Sequence, residues 1–189
     1  SHCLLVVSGT PRIQRCTLSS IEGHGILAKG DARPRVQQSE LHGHRKAAIV
    51  FKDHAGGDVR QSRFRGNAGH GVVILGSSSP MVADNDFVAN GSPAVTVRGQ
   101  GTPVIQENRF QDNEDYAIVA CGSARPTIVG NTVTGNKLPA IAIRDEAGGI
   151  VRGNKLRDNA GYGIVVCGAG QPLVEDNNIR AHQLPGIAV

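Results

Sequence analysis

Large side chains are scarce in this 189-residue chain, which has no tryptophan, two tyrosines, four phenylalanines and one methionine. A globular α/β enzyme fills its centre with more of them, so a slender fold with a thin core of stacked Val, Ile and Leu fits better. The four cysteines, at positions 3, 16, 121 and 167, form no C-x-x-C pair, which argues against a zinc site and a disulfide framework alike. Unpaired thiols lean towards a reducing compartment, hence the cytoplasm. No apolar run approaches the ~20 residues of a membrane helix, and nothing resembles a signal peptide, so no membrane partner is expected. The net charge is only +4 and the basic residues form no run, so no nucleic-acid partner is expected either.

Glycine, by contrast, is abundant, with 25 copies, and the sequence returns at a fixed step. The stretch GNTVTGNKLPAIAIR (130–144) holds no nucleophile elbow, phosphate loop or metal spacing, yet its skeleton recurs along the whole chain. In steps of 23, Ile26, Ile49, Val72, Val95, Ile118, Ile141, Ile164 and Ile187 fall in one column. A second begins at Ala28 and Phe51, a third at Ile13 and Val36, and a fourth runs Leu18, Leu41, Phe64, Phe87, Phe110, Val133. A period of this length marks a solenoid. The apolar residues within each repeat stand two apart, as in IVV or IAI, and Gly, Asn and Pro separate them, which is strand periodicity. Repeats made of short strands alone stack as parallel coils about 4.8 Å apart, so eight coils form a rod roughly 38 Å long. The expected fold is all-β, a right-handed parallel β-helix of about eight 23-residue coils. Residues 1–189 read as a single β-helix domain and, because the chain starts without methionine and stops inside a repeat at LPGIAV, as a segment of a longer protein.

A further column holds Asn85, Asn108, Asn131, Asn154 and Asn177, after Cys16, Ser39 and Ser62. Stacked asparagines bond along the axis and satisfy the backbone of a tight turn, so these read as a structural ladder. A second period overlies the first. The turn before the third column carries proline at 11, 34, 80, 103, 126 and 172 but glycine in HAGGDV (54–59) and EAGGIV (146–151). The motifs P-x-[IV]-x-x-N-x-[FIV]-x-x-N and A-G-x-G-I-V resemble the right-handed β-helix repeats shared by carbohydrate-binding proteins and sugar hydrolases. The alternation of proline and A-G-G coils looks most like the β-helix of F-box substrate receptors and their non-enzymatic relatives. The resemblance spans nearly the whole chain and implies a fold, since every matched residue builds the scaffold. No F-box or zinc-binding segment is present, so a ubiquitin-ligase role does not carry over.

Function in a solenoid sits on outward positions. Between the two inward columns of the first strand lies the outward column Leu4, Leu27, Val50, Val73, Thr96, Val119, Ala142, Val165 and Ala188. In β-helix polysaccharide lyases this face carries acidic calcium ligands, and no carboxylate stands in the column here. Beside it run Lys29, Lys52, Leu75, Arg98, Cys121, Arg144 and Cys167. A continuous apolar strip with basic flanks suits docking against an acidic protein surface. Leu27, Val50, Val73, Val119, Val165, Lys52, Arg98 and Arg144 are the candidate binding residues.

The rival reading is a carbohydrate-binding or polysaccharide-processing β-helix, with Asp84, Asp86 and Glu107 as its candidate catalytic residues. Glycosidases work with carboxylates about 5–9.5 Å apart. Asp53 and Asp145, four coils apart and thus about 19 Å from one another, are too distant. The next column alternates in sign, Glu40, Arg63, Asp86, Arg109, which reads as a charge ladder fixing register. His24, His70, Tyr116 and Tyr162 share a column at every second coil and read as turn decoration. A sequon, Asn90-Gly91-Ser92, sits in a turn. The chain therefore reads as a non-catalytic scaffold with a protein partner and no cofactor or metal. A polysaccharide ligand is the alternative, and a structural filament component the third possibility.

Overall fold

In a computed structural model describing residues 2–20 and 22–189, the repeat closes into a parallel β-helix with no helical element among those residues. Each of the eight full coils contributes one strand to each of three sheets. The first sheet has nine strands, from His2–Val6 to Ile187–Ala188. The second has eight, from Arg12–Gln14 to Gln171–Glu175, and the third eight, from Thr17–Ser19 to Asn178–Arg180. All pairings are parallel, and from the second coil on each residue sits beside its equivalent 23 positions later, as Val72 does beside Val95. The inward columns are buried throughout the middle coils. Phe64, Phe87 and Phe110 stack there as parallel rings with centroids 4.6 and 4.9 Å apart, an offset contact of a kind worth about 0.5–1.5 kcal/mol beyond area burial.

One register differs from the 23-residue step. Leu4 pairs with Ile26 and Leu5 with Leu27, an offset of 22, while Ile13 pairs with Val36 at the full 23. The turn between the first two strands is thus one residue short. A one-residue slip sends a side chain to the other face of a strand. Leu4 is therefore not an outward residue: it packs against the core, and Leu5, 43% exposed, takes the outward place.

Two polar ladders run inside the corners. In the first, the Oδ1 of each asparagine accepts from the backbone N–H of the residue one coil before, and from its side-chain amide where that residue is also asparagine. Its Nδ2 donates onward and to a carbonyl 26 residues earlier, as from Asn108 to Val82. The second is a ladder the sequence reading did not separate: Asn67, Asn90, Asn113, Asn136 and Asn159, with His44 and His182 in the same column at its two ends. Its signal was present as the second N of the N-x-[FIV]-x-x-N motif, five residues after the first. Asn90 is fully buried in this ladder, so the sequon lies where no glycosyltransferase reaches it in the folded protein.

The proline and glycine alternatives at the second corner have a steric cause. Gly57 and Gly149 adopt φ values of 115° and 91°, and a Cβ on either would collide with the carbonyl oxygen of Pro34 or Pro126 in the coil beneath. Proline presets the ordinary φ, whereas the A-G-G coils turn through a conformation that glycine alone enters freely.

Candidate functional site

The outward face of the first sheet is a groove between two ridges, one made by the turn entering each strand and one by the residue leaving it. In coils two to four its floor is Leu27, Val50, Val73 and Leu75, and its volume is about 570 Å3. Small residues on the entering turn, Ala47, Ala68 and Gly69, keep this section open. Arg45 and Lys46 stand on one wall and Lys52 on the other. None of the three takes part in an ion pair among the described residues.

His24 and His70 complete the wall at alternate coils. The His24 Nδ1 accepts from the Ala47 N–H at 3.2 Å. The His70 Nδ1 lies 3.1 Å from the Pro93 carbonyl and 3.2 Å from the Thr96 hydroxyl, which fixes the ring. Burial holds both imidazoles below their ordinary pKa, and the Lys46 ammonium adds to the effect at His24. Near neutral pH the groove thus presents two uncharged rings between fixed cations.

The apolar strip does not continue along the rod. Arg144 reaches back to Tyr116, its guanidinium 4.9 Å from the ring centroid and one nitrogen donating to the phenol oxygen. Tyr116 stands on the entering ridge and Arg144 on the leaving one, so this contact crosses the outward column between them. Beneath it Val119 is 8% exposed and Ala142 is fully buried. Val50 is itself only 5% exposed, as the floor between its walls. Of the expected binding residues, Leu27, Val50, Val73 and Lys52 share the open groove. Arg144 closes it, Val119 lies under the clasp, Arg98 is exposed outside it and half-buried Val165 lies beyond. His24, His70, Arg45 and Lys46 belong to the groove as well; the ring-bearing column at every second coil was the signal for the two histidines, and the two cations had none.

The acidic candidates lie elsewhere, at the corner between the second and third sheets. Asp84 and Asp86 line a polar groove of about 590 Å3 with Gln38, Gln61, Glu40 and Arg63. Asp84 and Glu107 both occupy left-handed corners, with φ of 55° and 52°. The Glu107 carboxylate lies over Gly130, one coil further from Asp84, and does not line the groove. Asp86 faces Arg109 at 3.9 Å. The register Glu40, Arg63, Asp86, Arg109 puts alternating charges side by side, although the closest partner of Glu40 is Arg65, which holds its carboxyl below the usual range. Asp53 and Asp145 cap turns, accepting from the Gly30 and Gly122 N–H groups at 3.1 and 2.8 Å.

All four cysteines are free, and burial pushes the Cys121 thiol up. Among the described residues no three His, Cys, Asp or Glu side chains gather as metal ligands, and no helix is long and apolar enough to cross a membrane.

A family model described as a right handed beta helix region matches residues 4–145 and again 118–189. No curated protein matches the chain.

Proposed function

The chain belongs to the right-handed β-helix family, and from that premise we propose that it is a non-catalytic recognition scaffold whose docking face is the open groove of coils two to four. The observation that carries this reading is the pairing of an apolar floor with cations that no carboxylate among the described residues neutralises. Such a surface fits a protein segment that places apolar side chains between Asp or Glu residues. Burial of Leu27, Val73 and Leu75 would supply affinity, and Arg45, Lys46 and Lys52 would supply orientation and on-rate. The alternation of proline and A-G-G coils, which resembles the β-helix of substrate receptors, supports a recognition role in the same direction. A rigid rod suits the task, because the coils lock one another in place and the groove loses little conformational entropy on binding.

The test is affinity capture with cross-linking by the parent and by Leu27→Lys and Val73→Lys variants, after circular dichroism has verified their fold. Val119→Lys is unsuitable, because that side chain is buried beneath the clasp. A partner held by the parent through cross-links to the groove, and released by both lysine variants, is the expected result. Equal capture by all three would defeat the reading.

One observation favours a second reading. The corner groove of Asp84 and Asp86 is lined by Gln, Glu and Arg side chains, hydrogen-bonding groups that suit sugar hydroxyls. Unsaturated product or shortened chains from a uronic-acid polysaccharide, abolished by Asp84→Ala, would establish carbohydrate processing there.

A further inference from the structure

Charge on the outward face of the third sheet changes character along the rod. In the early and middle coils acids and bases share this face, with Arg65 against Glu40 and Arg109 against Asp86. From the fifth coil onwards the strands of this sheet carry no acid. Lys155, Arg157 and Arg180 stand on the last two strands, Lys155–Arg157 and Asn178–Arg180, and none forms an ion pair with any described residue. Arg157 lies directly beside Arg180 in the strand register. Parallel neighbours are separated by about 4.8 Å, so two like-charged side chains leave the sheet from adjacent positions, a placement that repels.

The remaining groups on this face are neutral hydrogen-bonding residues. Thr132 flanks Lys155 on one side and Asn178 on the other. The Asn178 Oδ1 accepts from the Arg180 Nε at 2.9 Å, which holds that guanidinium in place and leaves its two terminal nitrogens free. The carboxylates closest in sequence do not line this face: Glu175 is in the second sheet with Arg152, and neither Asp158 nor Asp176 lines the concavity there. Together Thr132, Lys155, Arg157, Asn178 and Arg180 line a concavity of about 400 Å3.

We propose that this concavity binds a tetrahedral oxyanion, a phosphate or sulfate group carried on a small organic molecule. Three cations on two neighbouring strands exceed what one carboxylate neutralises, whereas a phosphoryl group brings up to two charges and three acceptor oxygens. Arg157 and Arg180 would take two oxygens, and Lys155 with the Thr132 hydroxyl would take the third. The volume leaves room for the carrier beyond the anionic group. The site is independent of the first-sheet groove and of the recognition reading built on it.

The experiment is a titration followed through arginine side-chain 15N–Hε resonances, using inorganic phosphate, inorganic sulfate, glycerol 2-phosphate and, as the carboxylate control, acetate. Arg65 and Arg109, paired with acids on the same face, serve as internal references. Saturable shifts at Arg157 and Arg180 with phosphate, sulfate or the ester, absent at Arg65 and Arg109, are expected. Arg157→Gln should weaken them roughly tenfold, the loss of one charge-assisted contact. Both arginines are exposed, so Arg157→Gln and Arg180→Gln leave the core untouched. Shifts of equal size at all four arginines would reduce the effect to ionic screening and overturn the proposal. Acetate binding as tightly as phosphate would overturn the oxyanion assignment.

Discussion

Asn108→Ala removes one rung from the first polar ladder, and its cost follows from the bonds the rung makes. Asn108 Oδ1 accepts from the Asn85 backbone N–H and from Asn85 Nδ2, both at 3.0 Å. Its own amide donates to the Val82 carbonyl at 2.9 Å and to Asn131 Oδ1 at 3.0 Å. Asn85 Nδ2 retains the Val59 carbonyl and Asn131 Oδ1 retains the Asn108 N–H, so those two groups stay satisfied. The Asn85 N–H does not, and Asn85 is only 2% exposed. Four bonds at about 1 kcal/mol each, with a stranded buried donor, set the loss at about 4–5 kcal/mol. Asn108→Ser should cost about half as much, because a hydroxyl restores the acceptor for the N–H beneath. Serine already does this at position 62, where Oγ accepts from the Ser39 N–H at 3.2 Å. Urea unfolding of the parent and both variants measures the two losses, with the slope compared to verify that the same surface unfolds. Alanine and serine variants of equal stability, or an alanine loss below about 1 kcal/mol, would refute the ladder as a source of stability.

Three further outcomes are expected. Phe87→Ala empties the middle of a three-ring stack and should cost about 3–5 kcal/mol in urea unfolding; a loss under about 1 kcal/mol would mean the core collapses around the gap. Gly69→Ala places a Cβ against the backbone of Lys46 in the coil beneath, where no side chain can move aside, and should destabilise by about 1–3 kcal/mol in the same assay. His44 is fully buried at the start of the second ladder, and burial lowers its pKa although the Leu18 carbonyl favours the proton. The unfolded chain then binds more protons as pH falls through about 6.5, so this residue costs stability in acid and none above neutrality. His44→Asn should therefore narrow the stability difference between about pH 7.5 and about pH 5.5, on either side of that value, and also extend the ladder by one rung. An unchanged pH dependence would count against it.

The sheets were legible in the sequence because the inward columns repeat at one fixed step, and Ile26, Ile49 and Val72 announce a shared environment without any structure. Leu4 was misplaced because a column cannot register a turn one residue short, and a single slip exchanges the two faces of a strand. The Asn67–Asn159 ladder was hidden for a different reason: Asn90 carries a sequon and reads as an exposed turn, and burial of a polar residue is a property of packing. The candidate groove was half legible. Leu27, Val50, Val73 and Lys52 follow from strand alternation, but the strip looked continuous, since nothing in sequence foretells that Arg144 folds back over Tyr116, 28 residues earlier. Lys155, Arg157 and Arg180 drew no notice because charge spread evenly along the chain becomes a cluster only when the coils stack.

The most direct test of the recognition reading is selection from a displayed random-peptide library on immobilised parent, with parallel selection on Val73→Lys. Enrichment of sequences that set apolar residues between Asp or Glu, lost on the variant and weakened by salt, is the expected result. Enriched peptides that bind parent and Val73→Lys alike, or no enrichment at all, would contradict a docking face in the groove of coils two to four.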